Sequence, residues 1–542
     1  MSIHHELNLA LLPEAAYERH GDHDALVYDG QVHRFGELQE RAARIGGALS
    51  RLGIRPGDRV VVLMANRPEV SVAYNAIWRS GAVVTPVMFL VTPGELAHIL
   101  TDSGARAIIT ASGLLATVAA AAADAPDLQH LLLVDELPEE AAAGLPGTLT
   151  VSTFTDLEAA DADADATGIV TRGNEELAAL LYTGGTTGRA KGVMLSHRNL
   201  HTCSLAAYQA GEEPGLTDTI NRTLVPLPLS HAYGLIVTLA GWQAPKPQLA
   251  VLQRWFDPAE WLTLAHEHRI QRTTLVPSMI QMLLGQPLEN ADLSELRLVN
   301  SGGAPLPYET RLAWQERLPH SRILEGYGLT ESGSVVSATR PGHIRPDSVG
   351  RPLPGYAVEI RDDTDRALPA GSDGEICVRS AGVMSGYWHA PTLTARTLRD
   401  GWLYTGDIGH LDTDGFLYIV DRKKDLILRG GFNIFPRDIE DTLITHPSVA
   451  QAGVVGRPDP RLGEEVVAFV ALHPGCRTDP AELIAYARDH LAAHKYPREI
   501  RVIDRLPLTS VGKLDRKALR AYAEQDRAPQ DGSAVQQPAE GS

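Results

Sequence analysis

The sequence predicts an α/β protein, with a large N-terminal domain of helix-covered β-sheets plus a small β subdomain, and a smaller α+β C-terminal domain. Three observations carry this prediction. Short β-rich runs alternate with helical patterns over the first part of the chain, which implies parallel sheets covered by helices. From Tyr356 the texture changes to short strands around a Gly/Asp/Pro turn cluster, marking a β subdomain over about residues 350–421. At 542 residues the chain also exceeds the usual size of one domain, and the charge run Asp421–Asp425 precedes a last compact α+β stretch. The expected division is therefore 1–421, 422–524 and a Gln/Pro/Gly/Ser-rich tail, 525–542, too poor in apolar residues to fold.

Taken in order, Arg59–Met64 is a β-branched apolar run and reads as a buried strand. Glu69–Arg79 follows as a helix and Ala82–Val87 as the next strand. Ala105–Thr110 and His130–Val134 read as further strands. Ala159–Thr167 spaces Asp161, Asp163 and Asp165 between small residues and reads as a solvated linker. Ala357–Arg361 and Glu375–Arg379 are the short strands of the β subdomain. Beyond residue 425, Val449–Val455 and Glu465–Leu472 read as strands, Pro480–Leu491 as a helix and Arg498–Asp504 as another strand.

Composition narrows the function classes. Apolar residues make up 44% of the chain, enough for sizeable cores, and 49 Lys plus Arg against 67 Asp plus Glu give a net charge of −18. That balance argues against nucleic acid or an anionic membrane surface as the main partner. Cys203, Cys377 and Cys476 are too few and too scattered for a disulfide framework or a thiolate metal site, which fits a reducing compartment. Met1–His20 lacks a basic flank followed by an apolar stretch, and the run Leu114–Ala123 is too short to span a bilayer. A cytoplasmic protein with no integral membrane segment is expected.

The most informative segment is Leu181–Ser196. The strand-like run Leu177–Tyr182 enters a loop of glycines and hydroxyl residues, and a second strand follows. Gly184 and Gly185 let backbone N–H groups converge, Thr183, Thr186 and Thr187 supply further donors, and Lys191 adds a positive charge: a set suited to wrapping phosphate oxygens. It is not a Walker loop, because Arg189 and Ala190 separate the last glycine from the lysine. On these residues alone, a flexible Gly/Thr hairpin loop remains the alternative.

Further motifs follow in order: Ser301–Pro305 after the strand-like Leu296–Asn300, then Glu325–Glu331, Tyr404–Asp407, Asp421–Asp425, Arg429–Glu440 and Ser510–Asp515. Together with the loop after Tyr182, this series resembles the adenylate-forming superfamily of acyl-CoA synthetases, nonribosomal adenylation domains and firefly-type luciferases. The resemblance covers roughly Leu26 to Ala523. It implies that Gly302, Gly303, Ala304 and Pro305 form an adenine-binding turn, with Gly326, Tyr327 and Gly328 beside it and Tyr327 stacked on the base. Thr330 would contact the α-phosphate, Glu331 would hold Mg²⁺, Asp407 would accept from the ribose hydroxyls, and Arg422 would assist there. A lone carboxylate suits Mg²⁺, which keeps most of its waters and binds through few protein oxygens plus the phosphates. Lys424 sits at the family's hinge position, so the small domain is expected to be mobile. Gly430, Gly431 and Phe432 match the loop lining the pantetheine tunnel. Lys513 would reach the carboxylate and the α-phosphate during adenylation.

The activity so implied is an ATP-dependent, Mg²⁺-dependent carboxylic acid–coenzyme A ligase acting through an acyl-adenylate. Val225–Gly234 resembles the acyl-pocket segment, with His231 beside the substrate carboxylate. Amino-acid-activating relatives place an aspartate next to that position, where this chain has Ala232; a desolvated ammonium would lack a partner there. Gly303, Gly326 and Gly328 are expected to leave a roomy pocket for a fatty, aryl or polycyclic acid. Departures are mild: Gly184 stands where serine is common, Ala190 where proline is common, and Gly303 where alanine is common. A ligase loading a carrier protein's phosphopantetheine, an enzyme of one half-reaction and a non-catalytic acyl-adenylate-binding protein remain the alternatives.

Overall fold

The structure is a computed structural model and describes residues 7–138, 144–160, 168–183, 189–430, 432–509 and 514–525. These divide into two compact units, one ending at Ile419 and one beginning at Val420.

Among the described residues, the first unit holds an eight-, a nine- and a five-stranded sheet. In the eight-stranded sheet, Val83–Val87, Arg59–Leu63, Ala107–Thr110, His130–Leu133 and Thr150–Thr153 run parallel in that spatial order. Val60, Val61, Val62 and Leu63 are wholly buried, so this strand is an unbroken apolar run rather than an alternating one, as a sheet covered on both faces requires. The expected helix runs Pro68–Arg79. Pro68 occupies its first turn, where a missing N–H costs nothing. This helix lies between two sheets. Trp78 Nε1 donates to the Ala178 carbonyl at 2.9 Å and the Tyr74 hydroxyl to the Leu229 carbonyl at 3.0 Å. Its buried Val70, Val72 and Ile77 each contribute roughly 1.5–3 kcal/mol. At one edge the sheet turns antiparallel: Leu177–Thr183 is followed by Lys191–Ser196 and then by the two-residue strand Gly386–Tyr387.

The nine-stranded sheet has a parallel centre that includes Arg222–Val225, Arg272–Leu275, Leu298–Ser301 and Arg322–Tyr327. The motifs at residues 302–305 and 328–331 therefore follow the carboxyl ends of neighbouring parallel strands, where ligands of open α/β sheets bind. In the five-stranded sheet Ala357–Arg361 pairs antiparallel with Gly374–Arg379, which pairs in turn with the long strand Trp402–Leu411.

The second unit packs the helices Pro436–Ile444, Pro480–His490 and Arg516–Gln525 with a five-stranded sheet. Its core includes Ile439, Leu443, Val454, Val466, Ala468 and Leu483. The strand expected to end at Val455 runs to Asp459 instead. Gly456-Arg-Pro-Asp459 reads locally as a turn, yet it pairs residue by residue with Gly463–Val466. Hairpin pairing overrides the local signal.

Ala159 and Ala160, expected to open a linker, instead close the helix Phe154–Ala160, anchored by buried Phe154. Residues 161–167 lie outside the described residues, as does the tail from 526 onward, whereas Gln525 closes the last helix. Cys203 and Cys377 are buried thiols and Cys476 is exposed; none is bonded to another. No described helix is long and apolar enough to cross a membrane.

Candidate active site

The hairpin at residues 177–196 pairs Thr183 with Lys191 and Tyr182 with Gly192. Gly184, Gly185, Thr186 and Thr187 fall between these strands and lie outside the described residues. The base of the hairpin is tightly held. The Tyr182 hydroxyl donates to Asp102 Oδ2 at 2.6 Å. Burial, then this carboxylate, pushes the phenol pKa well up, so Tyr182 stays a neutral donor. Trp388 N–H donates to the Gly192 carbonyl at 2.8 Å and its indole Nε1 to the Asp102 carbonyl at 2.9 Å. A Cβ on Gly192 would lie 2.9 Å from Leu180 Cδ1 and 3.1 Å from Trp388 Cβ, so glycine is needed for this close approach.

Lys191 and Glu331 meet through a residue that motif matching passed over. The Tyr387 hydroxyl donates to Glu331 Oε1 at 2.8 Å, while Lys191 Nζ lies 6.0 Å from the centre of the Tyr387 ring. Tyr387 is fixed by its pairing with Val193 and by its N–H donating to Thr394 Oγ1 at 2.9 Å. Thr330 and Glu331 sit on a short 3₁₀ turn, Thr330–Ser332, closed by Gly333 at φ 78°. The Glu331 carbonyl accepts from Met384 N–H at 2.9 Å, so the turn carrying the carboxylate is pinned to the segment carrying Tyr387.

Tyr327 and Asp407, assigned to base and ribose by resemblance, are also adjacent. The Tyr327 hydroxyl donates to Asp407 Oδ2 at 2.7 Å. Asp407 lies on the strand Trp402–Leu411 and is buried, and its N–H donates to Thr405 Oγ1 at 3.1 Å. Gly302, Gly303, Ala304 and Pro305 turn away from the end of the strand Leu298–Ser301. Gly303 takes φ +81°, which disfavours any side chain, and a Cβ on Gly302 would lie 3.1 Å from the Gly326 carbonyl.

The segment Val225–Gly234 leads into the helix Ala232–Gln243. His231 caps it, its Nδ1 accepting from Tyr233 N–H at 3.3 Å. The Tyr233 hydroxyl lies 3.0 Å from Thr274 Oγ1. A narrow cavity of about 10 Å³ lies here, lined by Leu224, Val225, Leu227, Tyr233, Val237 and Thr274 among others. A Cβ on Gly328 would run into the Ser334 carbonyl, and one on Gly326 would lie 3.3 Å from the Ser337 carbonyl. Gly328 and Gly326 thus make way for neighbouring backbone.

In the second unit, Arg422 ends the strand Leu417–Arg422 and Lys424 lies on the turn after it, both exposed. Beside them Asp421 is buried, its Oδ1 accepting from Arg422 N–H at 2.7 Å and its Oδ2 from Arg437 N–H at 3.1 Å. It thus serves the N-terminus of the helix Pro436–Ile444, whose own N-cap, Phe435, has no side-chain acceptor. Burial raises the Asp421 pKa to about 6. Gly430 turns at φ +58° and its N–H donates to the Leu462 carbonyl at 2.7 Å. Phe432 is 54% exposed and stacks on His494 with ring centres 4.7 Å apart. Gly431 and Lys513 lie outside the described residues. Just past Lys513, Asp515 N–H donates to the Pro507 carbonyl at 2.9 Å and Arg516 is held by Glu440.

The donor set fits a hard divalent cation with an anionic ligand. Glu331 Oε1 is taken by Tyr387, and Glu331 Oε2 has no hydrogen-bond partner among the described residues. Lys191 has no carboxylate partner among them either. A single carboxylate oxygen open to a metal and an ammonium open to phosphate match the needs of Mg²⁺ and a nucleotide. Tyr387, Asp102 and Trp388 were not singled out from sequence. The one available signal was the Gly-Tyr-Trp run, residues 386–388, in a segment without other aromatic residues.

Comparison with known proteins gives the family. Residues 13–388 match the AMP-binding enzyme family and residues 438–513 the AMP-binding enzyme C-terminal domain. The chain is 35% identical over 509 residues to a feruloyl-CoA synthase of Amycolatopsis sp, covering 93% of this chain and 94% of that protein. It is 34% identical over 543 residues to a long-chain-fatty-acid–CoA ligase of Bacillus subtilis (strain 168), covering 95% and 96%. The crystal structure of the anthranilate CoA ligase AuaEII in complex with anthranoyl-AMP superposes with a TM-score of 0.86 at 27% identity, covering 96% of this chain and 98% of that one.

Proposed function

Because the chain belongs to the family of AMP-binding enzymes, we propose that it is an ATP-dependent acid–coenzyme A ligase that activates a hydrophobic carboxylic acid as its acyl-adenylate. The observation that carries this is the union of Lys191, Tyr387 and Glu331 at one end of the hairpin, within a unit that also pairs Tyr327 with Asp407. The substrate carboxylate oxygen forms a bond to the α-phosphorus of ATP while the bond to pyrophosphate breaks. The thiol sulfur then bonds to the acyl carbon, the bond to AMP breaks, and the thiol proton is released. Such transfers depend on positioning and charge neutralisation more than on covalent help.

Each residue has a role in that scheme. Lys191 and the threonines of the hairpin loop hold phosphate oxygens, and Thr330 contacts the α-phosphate. Glu331 holds Mg²⁺, which would supply charge neutralisation at the phosphates. Tyr327 stacks on the base and Asp407 accepts from the ribose. Lys513 approaches for adenylation, while Gly430, Gly431 and Phe432 line the path of the thiol arm after rotation about Lys424. Ala232 leaves no carboxylate to hold an α-ammonium group, which favours an acid without one.

The test is a panel of fatty, aryl and amino acids assayed for acid-dependent pyrophosphate release, with and without coenzyme A, on the wild type and Lys513→Ala. The expected result is release with hydrophobic acids, thioester formation only with coenzyme A, and loss of release in Lys513→Ala with thioester formation from supplied acyl-adenylate largely kept. Equal loss of both steps would contradict the role given to Lys513, and no release with any acid would overturn the function.

A further inference from the structure

We infer that Tyr387 is a positioning residue of the nucleotide site, one side chain that both aims the Glu331 carboxylate and seats the Lys191 ammonium. The inference rests on the function proposed above and extends it to a residue that no motif identified.

The geometry gives Tyr387 two jobs at once. Its hydroxyl, 2.8 Å from Glu331 Oε1, occupies one carboxylate oxygen and leaves Oε2 directed elsewhere. A carboxylate free to rotate presents its oxygens in many directions; one held by a donor presents a fixed one. Hydrogen-bond partners of metal-binding carboxylates typically contribute 10- to 100-fold in metal affinity for this reason. The ring face, 6.0 Å from Lys191 Nζ, attracts the cation without neutralising it. An aspartate there would bind the ammonium more strongly and withhold it from phosphate. A ring holds it in place and leaves its charge available.

The fold spends several constraints on holding this tyrosine. Gly386 adopts φ +141°, and a Cβ there would sit 2.7 Å from Thr394 Cγ2, so glycine is required immediately before it. Ser385 N–H donates to the Met194 carbonyl at 2.9 Å and Trp388 N–H to the Gly192 carbonyl at 2.8 Å, clamping Tyr387 to the strand that follows the loop. On the other side Met384 N–H holds the Glu331 carbonyl. Backbone hydrogen bonds therefore tie the strand of the lysine, the tyrosine and the acidic turn together.

The two jobs separate by mutation. Tyr387→Phe keeps the ring under Lys191 and removes the donor to Glu331; Tyr387→Leu removes both. The measurement is direct binding on the full chain: Mn²⁺ titration followed by electron paramagnetic resonance with saturating α,β-methylene-ATP, and titration of that nucleotide without metal. Tyr387→Phe is expected to raise the half-saturating Mn²⁺ concentration about 10-fold or more, with metal-free nucleotide affinity unchanged. Tyr387→Leu is expected to weaken both. In the double variant Tyr387→Phe/Glu331→Gln, the tyrosine change should add nothing to the effect of Glu331→Gln, which a purely structural role would not produce. A wild-type Mn²⁺ titration reproduced by Tyr387→Phe, or effects that simply add in the double variant, overturns the inference while leaving the nucleotide site intact. If the wild type binds neither the nucleotide nor Mn²⁺, the proposed function falls and the inference with it.

Discussion

Replacing Arg516 with methionine is expected to destabilise the second unit by about 3–5 kcal/mol, the usual cost of removing one partner from a buried ion pair. Arg516 donates to both oxygens of Glu440, at 2.9 Å to Oε2, and to the Val454 carbonyl at 2.7 Å. Its guanidinium is also 3.7 Å from Asp425. The side chains of Arg516, Glu440 and Asp425 are 18%, 11% and 7% exposed, so water cannot replace what is lost. Asp425 keeps Arg520 at 2.7 Å, but Glu440 keeps only the Val454 N–H and the Val454 carbonyl loses a donor. The uncompensated carboxylate dominates that total. All seven tryptophans lie in the first unit, so fluorescence would miss the event. Hydrogen exchange read by mass spectrometry over Val449–Asp459 and Gly463–Leu472 reports it directly. Arg516→Met/Glu440→Leu should recover most of the loss, because an apolar pair of similar volume often replaces a buried ion pair at little cost. A loss below about 1 kcal/mol in the single variant, or no recovery in the double, would refute the reasoning.

Two further outcomes follow from other carboxylates. Asp421 has its folded pKa raised to about 6 from 3.8, chiefly by burial, so its contribution is fully present below pH 3.8 and is lost as pH rises through about 6. That amounts to about 3 kcal/mol of lost stability in the second unit by pH 7. Asp421→Asn should remove this component and flatten the pH dependence of exchange between pH 4 and 7; identical slopes in both proteins would count against it. Asp407→Asn should weaken nucleotide binding about 10- to 100-fold, since a charged acceptor contributes about 1.5–3 kcal/mol. An affinity within twofold of wild type, measured by calorimetry, would remove Asp407 from the ribose site.

Much of the fold was legible because its strands are local facts. Val60–Leu63 can only be a strand buried on both faces, and the Pro68 helix announces its own start. Ala357–Arg361 was read with its bounds intact because turn residues flank it on both sides. The strand ending at Asp459 was misjudged for the opposite reason: Pro458 and Gly456 speak locally for a turn, while the partner that overrules them lies across the hairpin. At the site, residues with a motif were found and residues without one were not. Tyr387 comes to Glu331 from 56 positions away, and no spacing rule encodes that meeting. The glycines are ambiguous in a different manner. Gly328 lacks a side chain because the Ser334 backbone passes against it, and sequence alone cannot tell space kept for a ligand from space taken by the chain.

The treatment of lysine in this acidic chain bears on what the site binds. With a net charge of −18, carboxylates are plentiful, and other lysines find them: Lys495 lies 2.6 Å from Asp438 and Lys246 3.9 Å from Glu212. Lys191 instead rests on an aromatic ring, and the nearby carboxylate of Glu331 receives a phenol hydroxyl rather than the ammonium. Tyr387 serves both groups, its hydroxyl bonded to Glu331 and its ring face turned to Lys191. A site that links one positive and one negative group through a neutral ring suits a ligand that itself carries both signs, such as a polyphosphate with its divalent cation. If Tyr387 were only filling space, leucine would serve as well, and the separation of metal affinity from nucleotide affinity in Tyr387→Phe would not occur.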